Sequence, residues 1–88
     1  MTQNQTPARP DTVAARAAVE ASIRLIVPDA DFGYVGDDVA LRGEFELDSL
    51  DFLSFVEALS SRTGVPIPED DYPRLATMAT CVEFLSQG

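Results

Sequence analysis

At 88 residues the chain makes one small domain, and a domain of that size buries only about 60% of the surface that its unfolded chain exposes, which excludes a deep cleft with many supported catalytic groups. A net charge of −9 disfavours nucleic acid and anionic membranes as partners, and the absence of histidine removes the commonest general base and metal ligand. Hydrophobic residues at 45% are too many for a disordered acidic tail, so a folded core is expected.

Residues 1–10 are polar, contain Pro7 and Pro10, and read as a disordered leader ahead of a domain spanning 11–88. They lack a signal-peptide core, and no apolar run in the chain is long enough to span a membrane, so a soluble cytoplasmic monomer is expected. Asp11 or Thr12 can cap a first helix that runs to about Val27, where Pro28 stops it. Along it Ala15, Val19, Ser22 with Ile23, and Ile26 recur at three- and four-residue spacing and predict one buried stripe.

Residues 28–47 form a long segment with three glycines and six acids. A connection of this length in so small a domain signals a functional or partly ordered element, with Val39, Leu41 and Phe45 expected to pin it to the core. Asp29, Asp31, Asp37 and Asp38 hint at calcium. A calcium loop begun at Asp29 needs glycine where Tyr34 stands and glutamate where Ala40 stands, so these acids read as a solvated loop.

The clearest element is a second helix. Asp48 can cap it and Asp51 sits three positions later, as in a capping box. Leu50, Leu53, Val56 and Leu59 predict its buried face, with Phe52 and Phe55 flanking, and Gly64 marks its end. Pro66, Pro68 and Pro73 then leave room only for a short helical turn near residues 71–75. Thr77 can cap a last helix ending about Leu85, with Met78, Cys81, Val82 and Leu85 inward. Cys81 is the single cysteine, which rules out an internal disulfide, and its apolar neighbours predict a buried thiol. No strand pattern of useful length is present. The expected fold is an all-α bundle of three main helices plus a short helix between the second and the last.

Ser49 is the candidate for covalent chemistry. It lies in the first turn after the cap of the second helix, where free amides and the helix dipole favour an anion, so a phosphate esterified to its hydroxyl would be well placed. A serine that merely helps to cap the helix is the plainer reading of Asp-Ser-Leu alone. The wider stretch FELDSLDFLSFVEAL at 45–59, followed by GVPIPED at 64–70 and by Thr77 and Met78 opening the last helix, resembles the acyl carrier protein family. The resemblance covers roughly residues 12–86. It implies an acyl-carrier-like bundle and a 4′-phosphopantetheine arm, derived from coenzyme A, on Ser49. It implies Ile67 beside that arm, and a docking surface of Asp48, Leu50, Asp51 and Glu57. The partners it implies are a phosphopantetheinyl transferase and acyl-loading and acyl-processing enzymes with basic patches.

Two departures refine the expectation. Glycine commonly stands where this chain has Glu46. Ser54, Ser60, Ser61 and Arg62 occupy positions that tend to be acidic in bacterial fatty-acid carriers. The thinned acidity of the second helix favours a carrier of a specialised fatty-acid- or polyketide-type pathway, which the resemblance implies holds acyl intermediates as thioesters and catalyses nothing itself. An aminoacyl or peptidyl carrier, or an unmodified acidic interaction module, are the alternatives. No metal site is expected.

Overall fold

The computed structural model describes residues 9–87; of the leader expected at 1–10, residues 1–8 lie outside the described ones. Helix α1 (Thr12–Arg24) starts where Asp11 accepts a hydrogen bond from the Ala14 amide at 2.8 Å. It stops three residues short of Val27. The Ile26 and Val27 amides both turn back to the Ile23 carbonyl, because Pro28 ahead restricts the backbone of the residue before it. Ala15, Val19, Ser22 and Ile23 are buried as the spacing predicts. The Ser22 hydroxyl has no partner among the described residues, a cost of about 1–3 kcal/mol that the surrounding core must offset.

The segment after α1 is more ordered than a loop. Asp31 accepts from the Gly33 amide at 2.8 Å and starts a 3₁₀ turn, Phe32–Tyr34, and a one-turn helix α2 (Leu41–Glu44) follows. The segment is tied to both neighbours. Arg16 of α1 donates to both carboxylate oxygens of Asp37 at 2.9 Å. The Asp37 carbonyl accepts from Ala79, and the Leu41 amide donates to Ala76. Leu41 is buried and Phe45 packs against the core, as expected. Val39 does not: it stays 37% exposed, because the backbone bonds on either side already hold the segment in place.

Helix α3 (Ser49–Thr63) is the long element. Gly64 closes it in the left-handed region at φ 72°, donating to the Ser60 carbonyl at 2.8 Å, a conformation glycine adopts without steric cost. The 3₁₀ segment Glu69–Leu75 contains Pro73 and leads to α4 (Met78–Ser86). There the Thr80 amide donates to the Thr77 hydroxyl at 3.1 Å, and the Thr77 amide donates to the Thr80 hydroxyl at 3.1 Å. Helix α1 packs against α3 and α4. Among the described residues the only strand-like feature is an isolated bridge between Ala40 and Thr77, so the fold is all-α, with two short helical turns, Phe32–Tyr34 and Leu41–Glu44, that the spacing does not predict.

The face of α3 differs from expectation. Phe52, Phe55, Val56 and Leu59 are buried, while Leu50 is 75% and Leu53 43% exposed. The rings Phe52 and Phe55 bring more apolar area inward than two leucines would, and they turn the helix accordingly. On α4, Met78, Cys81 and Leu85 are buried as predicted. Phe84 joins them, whereas Val82 is only partly covered.

Candidate attachment site at the start of the long helix

The turn that delivers Ser49 is built from its anchors outward. Leu47 is buried, and its amide donates to the Arg42 carbonyl at 2.9 Å. Between them Glu46 adopts φ 55°, the left-handed region that favours glycine. The chain thus turns through a left-handed residue three positions before Ser49 as it enters α3.

The helix start is closed by a capping box. The Asp51 amide donates to Asp48 at 2.8 Å, and the Asp48 amide donates to Asp51 at 3.4 Å. Both carboxylates are therefore folded back onto the backbone. Ser49 lies between them and is exposed. Among the described residues its hydroxyl takes part in no hydrogen bond, so the cap does not depend on it. An exposed, unengaged hydroxyl on the first turn fits covalent attachment of a flexible arm.

Beneath this turn the interior is filled with rings. Phe52 meets Phe55 at 5.9 Å and Tyr72 at 5.8 Å between centroids. Arg42 lies over Phe52 at 5.2 Å, and its Nε donates to the Leu47 carbonyl at 3.4 Å. Ile67 is half-buried against the same core. Outside, Leu50, Leu53 and Glu57 line one exposed face of α3 at three- and four-residue steps, beside Asp48; Asp51 is half-buried.

Sequence reasoning places Leu50 and Leu53 inward, and both lie outward; it singles out neither Tyr72 nor Arg42. A usable signal existed for Arg42, the nearest of the chain's six arginines to Ser49. Among the described residues no cluster of histidine, cysteine or acidic side chains could hold a metal. No helix there is long and apolar enough to cross a membrane.

Residues 17–85 match the family described as the phosphopantetheine attachment site. The chain belongs to this family of acyl carrier proteins. It is 36% identical over 74 residues to "Acyl carrier protein 2" of Pseudomonas aeruginosa, covering 80% of this chain and 92% of that one. It is 33% identical over 48 residues to an acyl carrier protein of Lactobacillus johnsonii, covering 54% of this chain and 60% of that protein. No solved structure matches it significantly. As a carrier of this family it is not an enzyme, and its prosthetic group is a covalently attached phosphopantetheine. That group, when bound, supplies a thiol at the end of a flexible arm.

Proposed function

We propose that Ser49 is the attachment residue, and that the chain holds acyl intermediates for cytoplasmic enzymes of a specialised fatty-acid- or polyketide-type pathway. The observation that carries this reading is the exposed, unengaged Ser49 hydroxyl on the first turn of a helix that Asp48 and Asp51 cap without it. In the loading step a bond forms between Ser49 Oγ and the phosphorus next to the pantetheine of coenzyme A. The pyrophosphate P–O bond breaks, adenosine bisphosphate leaves, and the serine proton passes to a base on the transferase.

Asp48, Leu50, Asp51 and Glu57 form the docking face, with Leu53 added from its exposure. An apolar centre ringed by acids suits a basic-rimmed, apolar patch on each partner. Ile67, half-buried below the turn, lies beside the arm. Intact-mass measurement after incubation with a transferase and coenzyme A tests the assignment: wild type should gain one arm. Ser49→Ala should gain none and keep its melting temperature, since the capping box remains. An arm on the Ser49→Ala chain would place the attachment elsewhere; no arm on either chain would point to an unmodified interaction module.

A further inference from the structure

The six arginines of this chain are not equivalent. Arg16 is engaged by Asp37 at 2.9 Å and Arg24 by Glu20 at 3.7 Å. Arg9 and Arg74 both lie over the Phe84 ring on α4, at 5.6 and 5.0 Å. Arg62 follows Ser49 by thirteen helical residues, about 20 Å along the axis at 1.5 Å per residue. Arg42 alone is fastened on both sides of Ser49, to Leu47 through Nε and to Phe52 through its guanidinium, whose carbon lies 5.2 Å over the ring centroid. Phe52, three residues on from Ser49, is its neighbour on the next turn.

The electrostatics of this corner are one-sided. Glu44, Glu46, Asp48 and Asp51 all lie within five residues of Ser49, and a phosphodiester there adds another negative charge. Arg42 has five N–H donors, of which one is used; among the described residues no carboxylate pairs with it. A staple for the turn needs only the Nε contact and the stacking. The remaining donors form a planar fork of the kind that binds phosphate oxygens in pairs.

We propose that Arg42 is a positioning residue that holds the phosphodiester at the root of the arm. This rests on the attachment of that arm at Ser49. With one end restrained against Phe52, the arm leaves the domain in a narrowed range of directions, and the acids of the capping box are screened from the charge beside them.

The test uses the full chain loaded by a transferase with coenzyme A, with the modified residue first identified by intact mass and peptide mapping. A chain without an arm on Ser49 overturns the attachment reading, and this proposal with it. On the loaded wild type, the Arg42 Nε–Hε resonance should shift relative to the unloaded chain, while that of Arg62 stays in place. In loaded Arg42→Gln the phosphorus resonance should move towards that of a phosphopantetheinyl-serine peptide and sharpen, as the root of the arm gains freedom. Arg42→Lys should retain part of the wild-type shift, and added salt should narrow the difference between the chains. With the arm confirmed on Ser49, an Arg42 resonance unmoved by loading overturns the proposal and leaves the attachment intact. That readout needs no variant, so it decides the matter even if Arg42→Gln folds poorly. Identical phosphorus shift and linewidth in folded wild type and Arg42→Gln overturn it equally.

Discussion

Glu46 stands in a backbone region where a side chain costs about 1–2 kcal/mol. Glycine removes that cost but gives back about 0.5–1 kcal/mol through the greater freedom of the unfolded chain. Glu46→Gly should therefore raise stability by up to about 1.5 kcal/mol, read as a higher urea midpoint at unchanged slope. A fall would mean that the Glu46 side chain makes a compensating contribution. Cys81 offers a second single-residue test. Burial pushes its thiol up from the ordinary 9.0 to about 12. The unfolded chain loses this proton first as pH rises, so the contribution to stability is whole below about pH 9 and is lost between there and about 12. Cys81→Ala should flatten the decline of stability across that window. An equal slope in both chains would show that other groups account for the decline.

At the scale of elements, the caps were legible and the rotation of α3 was not. Asp48, Thr77 and Gly64 act through neighbours one to four residues away, so their roles are written locally. Helix α3 carries apolar side chains around more than half its circumference, and its spacing supports two overlapping stripes. Packing against α1 selects the one containing both phenylalanines. The order of the 28–47 segment was hidden for another reason. Its ties are backbone bonds, such as Leu41 to Ala76, and an ion pair between residues 16 and 37, which leave no local pattern. The place of Ser49 in the first turn of α3 was legible because the cap beside it is local, whereas Arg42 is defined by the distant ring it lies over. The ring cluster of Phe52, Phe55 and Tyr72 carries a prediction about cargo. A close-packed interior resists added methylenes, typically at about 1–3 kcal/mol for overpacking. Loading acyl chains of increasing length should leave the melting temperature flat or lower it, with small NMR shifts at Val56 and Ile67. Progressive stabilisation with large shifts there would show that the rings move aside for a long chain.

Across the whole molecule, charge is divided unevenly. Residues 1–28 hold three arginines against two acids, and residues 29–88 hold thirteen acids against three arginines. Folding brings the two parts together. Arg16 reaches Asp37, and Arg24 donates to the Ala30 carbonyl at 3.2 Å while lying 5.0 Å over Phe32. Exposed pairs of this kind are worth about 0.2–1 kcal/mol each, too little to offset the self-repulsion of a chain at −9. Added salt screens both, and repulsion is the larger effect. The melting temperature should therefore rise with sodium chloride from low ionic strength, while affinity for the transferase falls as its attraction to the acidic face is screened. A melting temperature that falls with salt would give the ion pairs the dominant role; an affinity indifferent to salt would make Leu50 and Leu53 the main contacts.

The burial of Cys81 also has a meaning for traffic in acyl groups. A thioester on a long, mobile arm can be attacked by any thiolate within its sweep, including one on its own chain. Transfer to such a sulfur would strand the acyl group on a residue that no processing enzyme is shaped to receive. Cys81 is fully enclosed and protonated at neutral pH, so the folded chain offers no competing acceptor. On the proposed function, self-acylation at Cys81 would thereby be confined to the unfolded state.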